Sequence, residues 1–172
     1  MVAAIAGRRE PATTDGWTRH QYVRTGTNNL HAHFAIFTRV AGSSEPSSYT
    51  WISTDSTAIR GSIICVTFRD ALLDETAANQ NSSSSFVTPD LAGTSGGVLV
   101  ACFSGRDVTF GSDPLPVGLT ELQRRGDATD GGGSLLVATE GLSATGAVGT
   151  RTATVASAHG RVCNGAITIK DA

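Results

Sequence analysis

The sequence predicts an all-β protein built as a sandwich or barrel, and three observations carry that prediction. Short apolar runs alternate with a period near two. Clusters of Gly, Ser, Asn, Asp and Pro separate them at roughly 8–12-residue spacing. No window of about 11 residues carries the 3.6-residue stripe of an amphipathic helix. Composition agrees: Ser and Thr make up more than a fifth of the 172 residues, and 20 are Gly.

In chain order, Val2–Arg8 is a short apolar strand. Leu30–Phe37 and Tyr49–Thr54 alternate, and Ser62–Phe68 is β-branched and bounded by Gly61 and Asp70. Ser85–Thr88, Gly97–Phe103, Ser134–Thr139, Thr150–Ala156 and Gly165–Lys170 continue the series, for about eleven strands in all. Turns are expected at Gly26–Asn29, Gly42–Pro46, Asn79–Ser85 and Asp127–Gly133. The best helical stretch, Asp70–Asn79, is short and reads as a connecting turn.

Charge and length exclude several classes. Net charge is −2, so nothing provides an electrostatic grip on nucleic acid. No apolar run approaches the ~18 residues of a membrane-spanning helix. The start, Met1–Arg9, has no basic segment ahead of its brief apolar run, so it does not read as a secretion signal. An extracellular location would then follow from cell lysis. The three cysteines, Cys65, Cys102 and Cys163, are widely spaced and odd in number, which fits buried thiols better than disulfides or zinc.

The chain also echoes itself. Val2–Arg8 returns as Val100–Arg106, Gly16-Trp17-Thr18 as Gly118-Leu119-Thr120, and Gly61–Ala71 as Arg161–Ala172, all at offsets of about 98–102 residues. These echoes predict one domain over 1–172, with repeat halves at about 2–71 and 100–172 and a linker at 72–99. Ahead of Val100 lies the strand candidate Ser85–Thr88, whereas nothing in the sequence precedes Val2 in the same way. The expectation is a sandwich one strand short, exposed at Val2–Gly7. That edge would be covered by residues upstream of a wrongly assigned start, or by a strand from a neighbouring subunit. Val2, Ala4, Ala6, Phe86, Val87 and Thr88 are the candidate interaction residues.

Asp15-Gly16-Trp17-Thr18, Gly26-Thr27-Asn28-Asn29-Leu30 and Glu45-Pro46-Ser47-Ser48-Tyr49-Thr50, in this order, resemble a family of two-fold-repeated β-sandwiches. That family is found in tailed-bacteriophage virion proteins and some bacterial surface proteins. Arg60-Gly61 and Phe68-Arg69-Asp70 occupy the places of its Arg-Gly strand. The sequence departs from the family at Thr14-Asp15, where Pro-Ala is usual, and in lacking the family's first strand. The resemblance covers nearly the whole chain. It implies a jelly-roll-like antiparallel sandwich displayed on a virion as a capsid decoration, head-fibre or tail-associated protein. Its partners would be other virion proteins and copies of itself, without nucleic acid or membrane, and it implies no catalysis. A glycan-binding adhesin module is the alternative, with a host surface glycan as ligand.

The sequence offers no catalytic residues, cofactor site or metal site. His31 and His33 share one strand face, with His20 on the preceding strand candidate, and read as solvent-facing positions rather than metal ligands. Asp70, Asp74 and Glu75, and Asp127 with Asp130, lack the spacing of a calcium loop. Ser104 lacks the nucleophile-elbow glycine, and 6% aromatic content leaves little for sugar-platform walls. Trp17 and Trp51 are expected to be buried. Arg8-Arg9 and Arg124-Arg125, each near a carboxylate, read as solvated loop charge.

Overall fold

The computed structural model describes residues 1–26, 31–81, 85–110, 114–126, 132–155 and 161–172. The turn residues Thr27–Asn29, the serines Ser82–Ser84, Asp127–Gly131 with both its aspartates, and Leu30 and Ala156 fall outside the described residues. What is described is all-β, in antiparallel sheets with a β-sandwich-like arrangement.

The strands are β1 (Val2–Gly7), β2 (Thr18–Thr25), β3 (Ala32–Thr38), β4 (Gly61–Val66), β5 (Ala71–Asn81), β6 (Ser85–Val87), β7 (Ala92–Gly93), β8 (Val98–Arg106), β9 (Thr120–Arg125), β10 (Gly133–Gly141), β11 (Gly146–Ala147), β12 (Thr152–Thr154) and β13 (Val162–Asp171). One sheet runs β2-β3-β1-β4 and the other β5-β13-β8-β10-β9; β6 with β12 and β7 with β11 form two small ribbons.

The two large sheets share a plan. In the first, Val2 lies opposite Thr38 of β3 and Val66 of β4. In the second, Val100 lies opposite Thr139 of β10 and Ile167 of β13. The outer pairing matches too: β2 slips register between Arg19 and Gln21, and β9 slips between Glu121 and Gln123. The turn entering each of these strands closes alike, with Trp17 N–H donating to Thr14 O at 3.0 Å and Leu119 N–H to Pro116 O at 3.1 Å. Gly16 and Gly118 hold positive φ there, 76° and 92°, a conformation that Gly adopts without a Cβ penalty.

The core lies between the sheets. Ala4, Phe34, Ile36 and Ile64 face Cys102, Leu135, Val137, Cys163 and Ile167 across it. Gly165 provides the clearance: a Cβ there would come within 2.4 Å of the Phe34 ring. Each outer face is buried as well. Trp17, Tyr49 and Trp51 cover Ala3, Ile5, Ala35 and Phe37. Phe86, Leu91, Phe110, Ala153 and Val155 cover Leu99, Ala101, Phe103 and Leu136. Every residue of β1 is therefore buried, and β8 is buried from its second residue on. Strands covered on both faces read as continuous apolar runs.

Several expectations change. Asp70–Asn79, read as a turn with helical leanings, begins β5, which pairs with β13 along its whole length. Its Ala and Glu favour helix, but long-range pairing outweighs local propensity. The expected linker 72–99 thus holds most of β5 and all of β6 and β7. Tyr49–Thr54, expected as a strand, makes a single bridge from Ser53 to Pro11 and otherwise lies as a strap over the sheet. The expected edge at Val2–Gly7 is also corrected, because β1 is an interior strand with neighbours on both sides.

Candidate functional site

The sheet edges are where this architecture leaves backbone groups to satisfy. On one flank the two sheets are stitched together: Gln21 Nε2 of β2 donates to Thr76 O and Oγ1 of β5, at 2.9 and 3.0 Å. The remaining edges are β4 in the first sheet and β9 in the second. Three of the four edge strands of the two large sheets carry charge: Arg19 and Arg24 on β2, Asp74 and Glu75 on β5, and Glu121, Arg124 and Arg125 on β9. β4, Gly-Ser-Ile-Ile-Cys-Val, has none. Its alternation puts Ser62 and Ile64 inward, while Gly61, Ile63 and Cys65 are exposed. Ser62 Oγ donates to Gly133 O at 2.8 Å, which ties the start of β4 to the opposite sheet.

The residues expected to make contacts lie deeper. Val2, Ala4 and Ala6 are buried in β1, Phe86 and Thr88 are buried, and Val87 is half-buried against β12. Phe86 is part of the cover of the five-stranded sheet, packed edge-on to Phe110 with ring centroids 5.1 Å apart. Sequence alternation marks apolar faces but does not order the strands in space, so β4 carried no local mark of an edge beyond its lack of charge.

A second feature is a polar basin of about 740 Å³ at the end of β1, lined among others by Arg8, Arg9, Glu10, Tyr22, Arg24, His31, His33, Asp55 and Arg60. Two of its carboxylates are committed: Glu10 pairs with Arg19 at 2.8 Å, and Asp55 pairs with Arg9 while accepting from Ser53 and Thr57. His33, expected to face solvent, is buried beneath Tyr22, whose hydroxyl lies 2.8 Å from His33 Nδ1. Burial, with the nearby His31 and Arg24, lowers the His33 pKa to about 4. Burial first, and Glu10 second, raise the Tyr22 phenol to about 12. At neutral pH the pair is therefore a neutral imidazole beside a protonated phenol, a stable hydrogen bond rather than a proton relay.

His20, His31 and His33 do not converge on one point. His31 Nδ1 donates to Gly26 O at 2.9 Å, and its ring meets His33 edge-on, whereas His20 bonds Thr38 Oγ1 at 2.6 Å near the start of β2. Among the described residues no group of three metal-ligating side chains forms. Asp74 takes Lys170 Nζ at 3.0 Å and Thr94 Oγ1 at 2.9 Å, and Glu75 accepts from Ala92 N–H at 2.7 Å. Arg124 pairs with Glu121 at 2.5 Å. Burial holds the thiols of Cys102 and Cys163 up at about 12, while Cys65 lies exposed on β4.

Trp17 and Trp51 are buried, packed edge-on at 5.1 Å, so neither offers a flat platform to a sugar. A second cavity, of about 760 Å³ and more apolar, lies where Val2, Thr67, Phe68, Leu72 and Ala172 converge near the end of β4. Comparison with family models, characterised proteins and solved structures finds no match to this chain.

Proposed function

We propose that this chain is a non-enzymatic structural protein of a tailed-bacteriophage virion, a capsid decoration, head-fibre or tail-associated component. In this reading it is one jelly-roll-like β-sandwich domain of two duplicated halves. It packs as repeated copies through sheet edges and loops, against itself and against major capsid or tail proteins, without contacting nucleic acid or membrane. The observation that carries the reading is the uncharged β4 edge, where the other three edges of the two large sheets carry charge. Soluble proteins blunt such edges, and an unblunted one serves assembly. The sequence resemblance supports the same class.

The test is stoichiometry. Tailed particles purified from lysed cultures are expected to contain the chain at on the order of tens to hundreds of copies, as symmetric assemblies do. Its absence from washed particles overturns the proposal.

The polar basin favours a second reading, the glycan-binding module. Its Arg8, Arg24, Arg60 and His31 suit the carboxylate or sulfate of an acidic sugar. Retention on acidic but not neutral glycans, lost in Arg24→Ala, would support this second reading; no retention on either would remove it.

A further inference from the structure

We propose that β4 is a pairing edge for a second copy of this chain. Two β4 strands meet antiparallel across a two-fold axis at Ile63 and join two four-stranded sheets into one of eight. The inference rests on the reading that the chain works as repeated copies, and it names the surface and the partner.

The backbone phase sets which groups are offered. Arg8 N–H donates to Arg60 O at 3.1 Å across the β1–β4 ladder. In an antiparallel pair the bonded positions alternate, so Arg60, Ser62 and Ile64 face β1. Gly61, Ile63 and Cys65 hold their N–H and C=O groups away from it. Among the described residues no strand hydrogen-bonds to β4 on that side, and β9 of the facing sheet lies nearby without pairing.

The other sheet supplies the comparison. β13 stands to β8 as β4 stands to β1, in the same register, and β13 has β5 along its outer side. Beneath β5 and the small ribbons, Asn164, Ala166 and Thr168 are 0% exposed. On β4, Ile63 is 40% exposed and Cys65 is exposed, as is Thr67 just beyond the strand. This position in the sandwich therefore takes an added antiparallel strand, and in the four-stranded sheet that strand comes from outside the described residues.

Charge decides which strand. β2, β5 and β9 would each bring an ion against Ile63 and Cys65, whereas β4 brings none. A strand edge is also self-complementary about a two-fold axis. With Ile63 opposite Ile63 of the second copy, Gly61 falls opposite Cys65, and each odd residue exchanges both of its backbone bonds. Arg60 falls opposite Val66, so no like charges meet. Ile63 gains an apolar cross-strand neighbour, the kind of pair that stabilises sheets.

Oligomeric state tests the proposal. The wild-type chain is expected to be dimeric by light scattering. Ile63→Lys is expected to weaken the dimer at least about tenfold, with the circular dichroism spectrum unchanged. Should Ile63→Lys misfold, Cys65→Lys gives the same readout from the neighbouring residue. In the wild type a thiol reagent should reach Cys65 and be slowed as protein concentration rises. Ile63→Cys in a Cys65→Ser background is expected to form a disulfide-linked dimer on mild oxidation, because bonded antiparallel partners lie ~5.5 Å apart at Cα. A wild-type monomer at every concentration, with Cys65 uniformly reactive, overturns the proposal. So does a dimer indifferent to both lysines. Particle content separates this from the function proposed above. A dimer absent from virions sinks that function alone, and a monomer abundant in virions sinks this inference alone.

Discussion

The first sheet and four strands of the second share one order and one register, yet they differ in what lies over and beside them. Tyr49–Ser53 over the first sheet and Arg151–Val155 over the second repeat the same succession of half-buried, exposed, buried, exposed and buried residues. In the second sheet that segment includes β12 and pairs with β6; in the first it makes one bridge and relies on Trp17, Tyr49 and Trp51 to fill the space. The comparison teaches that a common frame tolerates two kinds of cover, small ribbons on one side and an aromatic strap on the other. Among the described residues the frame leaves one strand, β4, without the paired neighbour its counterpart has.

The largest expected effect comes from the paired positions Ile64 and Gly165, which both face the core. Gly165→Val would drive a side chain into Phe34 and Ile36, whose atoms lie 2.4 and 2.7 Å from a Cβ built there. Overpacking of this kind costs about 1–3 kcal/mol, and the loss is expected at the upper end or beyond because both neighbours are fully buried. Its counterpart change, Ile64→Val, is expected to cost about 0.5–1.5 kcal/mol. Urea denaturation of the two variants measures the difference, and equal losses would mean that the inter-sheet space is not shared in this way.

The next contrast is between Thr168 and Thr67, which follow the same position on β13 and β4. Thr168 is buried; its Oγ1 donates to Ala92 O at 2.9 Å and accepts from Glu75 N–H at 3.1 Å. Thr168→Val removes two hydrogen bonds to partly buried backbone groups, at about 0.5–1.5 kcal/mol each. Thr67 is exposed, so Thr67→Val is expected within about 0.5 kcal/mol of wild type. A large loss at Thr67 in dilute solution would mean that β4 is already covered within one chain.

These contrasts also mark what the sequence could reveal. The echoes of Val2–Arg8 and Gly61–Ala71 fall on β1 with β8 and on β4 with β13, strands that hold the same places in their sheets. β5 was illegible: Ala71–Asn81 mixes Leu, Asp, Glu and Ala, and only its pairing with distant β13 makes it a strand. The site was half legible. Ser62–Phe68 reads as a strand, but its place at the edge depends on β1 lying between β3 and β4, a long-range arrangement that no local pattern encodes. The burial of His33 was missed for a similar reason, since Tyr22 that covers it comes from the neighbouring β2.

That burial gives a pH signature confined to the first sheet. The folded-state pKa of His33, about 4, lies below its unfolded value near 6.5. Between these values the unfolded chain binds a proton that the folded chain excludes, so the His33 contribution to stability is full above pH ~6.5 and lost as pH falls toward ~4. His33→Gln, which keeps a hydrogen-bonding partner for Tyr22, is expected to flatten the fall of Tm across that window. An unchanged slope would remove His33 as its source.

The smallest effect is expected where the two covers are fastened. Thr38 and Thr139 hold the same place in their sheets, and the residues that follow them, Arg39 and Glu140, each grip the segment lying above. Arg39 Nε lies 3.2 Å from Glu45 Oε2, and its guanidinium sits over the Tyr49 ring at 5.4 Å. Glu140 instead accepts from Arg151 Nε at 2.6 Å, while Arg151 Nη1 donates to Val148 O at 3.0 Å. The sign of the charge is reversed between the sheets but the fastening is kept. Both pairs are partly exposed to solvent, where an ion pair contributes at most about 1 kcal/mol and salt screens it. Glu140→Gln should therefore lower stability by less than that and narrow the gap from wild type as salt rises. Arg39→Met should cost more and respond less to salt, because it also removes a cation lying against an aromatic ring. Equal losses with equal salt dependence would mean that the two fastenings work by charge alone, and that the aromatic strap adds nothing that the ribbons lack.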